Sequence, residues 1–429
     1  MIPSSTHYDL ILAGGGMAGL SLAYYLNNSP LREKKILIID REPKEKNDRT
    51  WAFWERENGP FEPILFRQWP TVWFHGPRGD GPRGDGTRSG FSEKLDLGGY
   101  RYKLLRGIDF YDFVRAELAK NANVEFLYSP ILKIESTEHH AVVLTEAGRF
   151  SAGWVFDSTF RLEAMKPFNA KFRMLNAELE TQKNHSAFSI QHSVFQTLLQ
   201  HFKGWVVKTP LPAFNPDEPV MMDFRIPQHG ECRFMYVLPF SETEALVEFT
   251  LFTPALLPPD AYDAELKTYL RDFLNMNDFE IRETEFGIIP MTDEPTTERP
   301  GPRVVRIGTA GGTTRPSTGY TFARTQRRLH TIARNLAADF NAHPLDGEGA
   351  AILARYRFFD EIFLNVFLKK RHPPAQIFTQ LYARNRPADV FAFLDEETTL
   401  AEDLRVIWAA PKLPFTRAAI DVLLRKIRP

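Results

Sequence analysis

Tyr8-Asp9-Leu10-Ile11-Leu12-Ala13-Gly14-Gly15-Gly16-Met17-Ala18-Gly19 decides the fold. The apolar run Tyr8 to Leu12 reads as a buried strand. It opens into the G-x-G-x-x-G turn Gly14 to Gly19, and then into Leu20 to Leu26, an apolar stretch of helical length. The three glycines of the pattern play separate roles. Gly14 makes the tight turn, Gly16 admits a pyrophosphate close to the backbone, and Gly19 lets helix press on strand. The phosphate then rests on the positive helix end, over unpaired N–H groups, with Met17 and Ala18 counted among the binding residues. A second strand, Lys35 to Ile39, ends in Asp40, 21 residues after Gly19, where a carboxylate holds a ribose hydroxyl. Arg41, beside it, is counted with the same site.

The same chain carries a control. Gly79-Asp80-Gly81-Pro82-Arg83-Gly84 also fits G-x-G-x-x-G, inside a direct repeat of GPRGD at Gly76 to Asp80 and Gly81 to Asp85. No apolar strand leads into it, and Pro82 stands where a helix would begin. It reads as a polar loop insertion, residues 75–90. One dinucleotide fingerprint remains.

At 429 residues the chain suffices for two or three domains with sizeable cores. A net charge of −1 supplies no field for nucleic acid. The lone cysteine, Cys232, excludes an internal disulfide and a dithiol redox pair, compatible with a reducing compartment. No signal peptide is expected at the N-terminus, and no window approaches the roughly 18 uninterrupted apolar residues of a membrane span. Aromatics make up 13% of the chain, compatible with an apolar ligand or with ordinary core packing.

Beyond Asp40 comes a polar loop, then Asp48-Arg49-Thr50-Trp51-Ala52-Phe53-Trp54. Arg106 precedes an amphipathic helix, Tyr111 to Lys120, with Asp109 as its N-cap. Arg106 is placed there to reach cofactor phosphate or ribityl oxygens, and Arg49 is counted with it. Strands follow at Val124 to Tyr128, Ile131 to Glu135, Ala141 to Thr145 and Trp154 to Ser158. Between about 165 and 290 the pattern turns mostly β (Ala187 to Phe195, Val220 to Arg225, Arg233 to Pro239, Leu246 to Phe252), with one helix, Asp260 to Leu274. The strand Val304 to Gly308 then enters a second glycine turn, Gly308, Gly311 and Gly312, followed by Pro316-Ser317-Thr318-Gly319-Tyr320 and a helix from Thr321 to Phe340. Beyond 346 the chain is helical. Phe359, Ile362, Phe363, Val366 and Phe367 form a stripe that serves either a helical cap or a membrane-facing surface.

Taken together these segments resemble the flavin-dependent lycopene cyclase family. The resemblance runs from the N-terminal fingerprint through Asp48-Arg49-Thr50-Trp51, Leu246-Val247-Glu248-Phe249-Thr250 and Glu285-Phe286-Gly287-Ile288-Ile289-Pro290-Met291 to Pro316-Ser317-Thr318-Gly319-Tyr320. Pro290-Met291, followed 25 residues after Met291 by the last motif, is its most specific part. Where plant-type members carry F-L-E-E-T, this chain has L-V-E-F-T, keeping only Glu248. Phe393-Leu394-Asp395-Glu396-Glu397-Thr398 is closer in letters but lies in the helical, charged C-terminal region. Many FAD enzymes place an aspartate where Thr309 stands.

The resemblance implies an α/β fold: a Rossmann-type FAD-binding domain (1–160, returning at 296–345), an inserted β-rich substrate domain (161–295) and a C-terminal helical cap (346–429). It implies FAD, with the second glycine turn suited to its ribityl and pyrophosphate end and Thr318 and Gly319 among the cofactor-binding residues, and NAD(P)H as an external reductant; no metal ligands are assigned. The implied reaction is redox-neutral. A terminal alkene of lycopene is protonated, a neighbouring double bond attacks the cation, and proton loss leaves a β-ionone ring. Protonating an alkene needs a carboxylic acid kept neutral by a dry cavity. Glu248 is the expected acid and Glu285 a second carboxylate, with Trp51, Phe53, Trp54, Pro290, Met291 and Tyr320 expected around the substrate. The implied setting is cytoplasmic, peripherally associated with the inner membrane. A flavin oxidoreductase of the hydroxylase or geranylgeranyl-reductase type and a non-enzymatic prenyl carrier fit the same fingerprint.

Overall fold

A computed structural model describes residues 6–77, 90–160, 195–346 and 350–427. Residues 78–89 of the expected 75–90 insertion, with most of the repeat, and nearly all of the strand expected at Ala187 to Phe195 lie outside the described residues.

Thr6–Ala13 forms the centre of a seven-stranded sheet, with Ile36–Asp40 parallel on one side and Gly148–Asp157 parallel on the other. Val124–Tyr128 extends the parallel run beyond Ile36–Asp40, and Val304–Arg306 returns to pair in parallel with Gly148–Asp157. Strands apolar on both faces belong in such a sheet, because helices or strands must cover both sides. Leu10, Leu12, Ile36 and Ile38 face a core shared with the helices Met17–Asn27 and Phe322–Ala338, while Ile11, Ala13, Leu37 and Ile39 fill the opposite one.

The second sheet also has seven strands. Its order is Glu280–Thr292, Thr197–Lys208, Glu244–Thr253, Cys232–Pro239, Val220–Asp223, Thr71–His75 and Ser92–Asp96. The last two come from before residue 160, so this sheet is not confined to the 161–295 stretch. Phe74 pairs with Met222 across the boundary, and Val72, Phe74 and Leu95 are buried in one core with Phe234 and Phe252. Period-2 alternation divides the sheet. Val247, Phe249 and Leu251 pack on the helix Pro259–Asp272, while Leu246 and Phe252 face inward toward the C-terminal helices.

Between the two cores lies a three-stranded sheet built from Thr50–Glu55, Arg101–Arg106 and Arg67–Trp69. The helix after Arg106 begins at Gly107, not Tyr111; Asp109 sits in its first turn and Arg106 is its N-cap residue. The start is drawn back because the Gly107 N–H donates to the Arg49 carbonyl at 2.8 Å, an approach a side chain would obstruct. The helix Ala350–Leu368 turns its stripe inward. Phe363 and Phe367 stand 4.3 Å apart, centroid to centroid, and both meet Phe378. Val366 and Phe367 are buried and Ile362 and Phe363 half-buried against the same core, so most of the stripe packs inward.

Candidate active site

The glycine turn has the geometry its sequence demands. Gly14 has φ +106°, and a Cβ there would fall 2.2 Å from Ser158 Oγ. A Cβ on Gly19 would fall 1.9 Å from the Gly14 carbonyl oxygen, so helix and turn touch backbone to backbone. Gly16 is the opposite case: nothing lies within 4 Å of its Cβ position. Gly16 also begins the helix without any side-chain cap, and no acidic residue occupies the first turn. An open glycine at an uncapped helix start is a cradle for a phosphate. Asp40 stands beside it, accepting from the Gly15 N–H at 2.6 Å and from the Arg41 N–H at 2.6 Å. The structure therefore brings Gly14, Gly16, Met17, Ala18, Gly19 and Asp40 together, and a dinucleotide fits them.

The second glycine turn joins them. Gly308 comes up against Ala18, and Gly308–Gly311 forms a short 3₁₀ turn closed by Gly312. Gly319 has φ +72°, and a Cβ there would strike Gln200 Oε1 at 1.9 Å. Gln200 Oε1 and Thr318 Oγ1 are buried polar atoms without a protein partner, as groups reserved for a ligand are. The loop is fixed from behind by Arg315, which pairs with Asp360 at 3.1 Å and donates to the Phe393 carbonyl at 3.0 Å.

The arginines divide differently. Arg41 and Arg49 are exposed, Arg49 3.4 Å from Asp48. Arg106 is committed: it grips Asp109 through two hydrogen bonds of 2.6 and 2.8 Å and lies 4.0 Å over the Phe66 ring. A guanidinium so engaged has little left for a phosphate.

Glu248 and Glu285 meet at a gap in the sheet. Each stands opposite Gly204, on the strands flanking it, so all three share one face. Gly204 has no side chain to separate them; a Cβ there would lie 3.0 Å from Glu285 Cγ and 2.9 Å from Leu246 Cδ1. The face is the inner one. Glu285 is buried and Glu248 half-buried, and lost hydration is the largest influence on both. Burial and then the neighbouring Glu285 raise the Glu248 carboxyl well above the ordinary carboxylate range, against a 2.7 Å hydrogen bond donated by Thr250. Burial pushes Glu285 up to about 7, held back by Glu248 and Thr50. Two adjoining carboxyls largely withdrawn from water cannot both ionise cheaply. Glu285 Oε1 is left buried without a hydrogen-bond partner.

Aromatic side chains surround the pair. Tyr236 is the cross-strand partner of Glu248, its hydroxyl 3.4 Å from that of Tyr320. Trp54 packs edge-on against Tyr320 at 4.3 Å, stacks on Phe391 at 4.6 Å, and donates its indole N–H to Asp395 at 2.9 Å. Tyr320, Trp54 and Met291 belong to this core. Trp51 and Phe53 do not. They occupy the other face of Thr50–Glu55 and pack with Phe110, Tyr111 and Phe322 in the nucleotide-side core. Alternation along that strand puts Thr50, Ala52 and Trp54, not Trp51 and Phe53, toward the carboxyls.

Pro290 lines a cavity of about 910 Å³ with Arg324, Arg327, Asp360 and Glu396. Charged walls make it unsuited to a hydrocarbon, and neither Glu248 nor Glu285 borders it. The Asp395 and Glu396 side chains are 9% and 12% exposed, so the 393–398 segment is not a solvated charge run. It faces Arg324 and Arg327. Gly204, Gln200, Tyr236 and Thr50 escape sequence reasoning; only strand register reveals them.

The profile of the family described as lycopene cyclase protein matches residues 9–420. The chain belongs to the lycopene cyclase family. Among named relatives, the lycopene β-cyclase of Pantoea ananas is 23% identical over 96% of this chain and 97% of its own length. The chloroplastic lycopene β-cyclase of an Oncidium hybrid cultivar is 28% identical, over 81% and 66%. The chloroplastic neoxanthin synthase of Solanum lycopersicum is 25% identical, over 76% and 60%, so relatives bear more than one product name. Solved structures sharing the fold include a flavoprotein/dehydrogenase from Cytophaga hutchinsonii (TM-score 0.58, 13% identity, 98% of this chain and 100% of that one) and a geranylgeranyl bacteriochlorophyll reductase-like protein from Thermoplasma acidophilum (TM-score 0.56, 13%, 98% and 100%). The fold is thus the α/β flavoprotein architecture with a helical C-terminal region.

Proposed function

We propose that the protein is a lycopene β-cyclase, closing the linear ends of lycopene into β-ionone rings to give β-carotene by way of the one-ringed intermediate. The observation that carries this reading is the carboxyl pair meeting at Gly204 on an apolar inner face, beside the Pro316–Tyr320 loop. Glu248, protonated, gives its proton to the terminal alkene. A tertiary cation forms, the neighbouring double bond attacks it, and a ring carbon releases a proton, so the pigment keeps its mass. Glu285 beside it takes up or returns that proton. Trp54, Tyr236 and Tyr320 offer π faces to the passing cation. FAD fits the two glycine turns and the orphaned Gln200 and Thr318 oxygens. Bound and reduced by NAD(P)H, it supplies an electron-rich ring that steadies positive charge without net redox change. The substrate has no hydrogen-bonding group, so its affinity comes from buried apolar area, about 25 cal/mol per Å². The same insolubility supports peripheral attachment to the cytoplasmic side of the inner membrane. Among the described residues no helix is long and apolar enough to cross one.

In bacteria that accumulate lycopene, expression is expected to turn red cells orange with the pigment's mass unchanged. Unchanged pigment beside soluble, yellow protein overturns the reading. The shared fold also favours a flavin oxidoreductase as the second reading. There, NADPH consumption would track product and product mass would shift by whole redox equivalents.

Gly204 provides a finer test. Gly204→Ala inserts a methyl between Glu285 and Leu246, an overpacking that costs about 1–3 kcal/mol. Thermal melts are expected to show that loss with flavin retained, while product analysis shows cyclisation reduced far more than stability.

A further inference from the structure

The last two helices carry an apolar face that the fold does not use. Among the described residues fifteen large hydrophobic side chains are exposed, and eight of them lie on Leu400–Ile407, Lys412–Ile427 and the Trp408 between them. They are not scattered. Leu400, Leu404 and Trp408 recur every fourth residue, and Leu413, Ile420, Leu424 and Ile427 recur along one side of the next helix. Inward packing is already met by other residues: Val406, Ala418 and Val422 are buried. Trp408 is 74% exposed and Ile427 75%. Rows of exposed apolar side chains on two consecutive helices mark a docking surface.

The charges identify what docks. Exposed Arg405, Lys412 and Arg417 sit among these residues, and the Lys412 ammonium lies 3.9 Å over the Trp408 ring. Two of the three acids on these helices are paired with bases from elsewhere. Asp403 is buried against Arg355, Asp421 binds Lys369 and Arg371, and Glu402 closes a capping box with Thr399. A second copy meeting this face about a two-fold axis would set bases against bases. An anionic bilayer surface answers both features, taking the apolar side chains into its boundary and the bases among its headgroups; tryptophan is at home at that depth.

We infer that the helix pair Leu400–Ile407 and Lys412–Ile427 is the surface by which this chain lies on an anionic membrane. The inference draws on the proposed hydrocarbon substrate, which resides in membranes. It tells which element meets the lipid: the 400–427 pair, and not the 359–367 stripe, most of whose residues pack inward.

The flavin-loaded full chain can be sedimented with phosphatidylcholine vesicles, with and without roughly one-third phosphatidylglycerol. The wild type is expected to pellet with the anionic vesicles, less so with neutral ones or in high salt. Ile420→Ser/Leu424→Ser is expected to lower binding about tenfold or more, and Arg417→Glu several-fold. Both variants should keep flavin and still convert lycopene supplied in detergent micelles, because neither position reaches the core. A wild type that stays in the supernatant, or variants that pellet like it, overturn the inference. So does a wild-type dimer that the double variant splits without altering vesicle binding, since a second copy is then the occupant. Vesicle binding lost in the variants, with no lycopene converted in any form, upholds the docking surface and removes the cyclase reading instead.

Discussion

Glu248→Gln is expected to abolish ring closure while leaving the flavin in place. Glutamine has the size of the neutral acid and can accept the Thr250 hydrogen bond made at 2.7 Å, so the strand has no reason to move. What it lacks is a proton to give. Removing a positioned general acid costs about 10²–10⁴ in rate, and here no water-borne acid substitutes for it on an alkene. Product formed from lycopene per unit of flavin-bound protein is the measurement, and wild-type rates in the variant would strip Glu248 of its role. The same substitution has a pH signature. Both carboxyls are raised by burial, Glu285 to about 7, so the folded chain holds protons that the unfolded chain releases. That stability is present below the ordinary carboxylate range and is lost as pH climbs through 7. The melting temperature of the wild type is expected to fall between about pH 5 and pH 8, and Glu248→Gln to flatten that fall. Activity should decline in the same direction, as the acid loses its proton.

Gly19→Ala and Gly16→Ala should part company, although both alter one fingerprint. A Cβ at Gly19 meets a backbone carbonyl at 1.9 Å, an atom that cannot swing aside. Helix and turn must separate, at about 1–3 kcal/mol or more, and the bed for the pyrophosphate opens with them. The protein is expected to purify colourless with a lowered melting temperature. At Gly16 the added methyl meets nothing of the protein. The colourless form should melt as the unliganded wild type does, and only flavin affinity should drop, because the methyl occupies ligand space. Absorbance at the flavin bands and melts with and without added FAD separate the two. Equal loss of fold in both variants would refute the assignment of separate roles to the glycines.

Those roles are legible in the sequence because local geometry dictates them: strand, turn and helix are consecutive, and only glycine fits where the chain crosses itself. Glu248 is legible for a similar reason, since alternation with Leu246 and Thr250 fixes its side of the strand. Trp51 and Phe53 pack away from the carboxyl pair, which sequence reading does not foresee although the same alternation applies to them. Their bulk suggests a substrate wall, but a strand between two cores has two apolar sides, and composition does not tell which one meets the ligand. Gly204 gives no local signal at all; its meaning comes from strands more than 40 and 80 residues away. The helical stripes show the same limit. Phe359 to Phe367 and Leu413 to Ile427 have like periodicity, yet one faces Phe378 and the other faces outward. Period reports that a face is apolar, not what covers it.

The clamp on the Pro316–Tyr320 loop has a consequence for how the molecule is born. Arg315 is anchored by Asp360 and by the main chain at Phe393 and Leu394, all supplied by residues that leave the ribosome later. A nascent chain can therefore form its first strand and glycine turn early, but the Pro316–Tyr320 loop gains its anchor only once the chain as far as Leu394 has emerged.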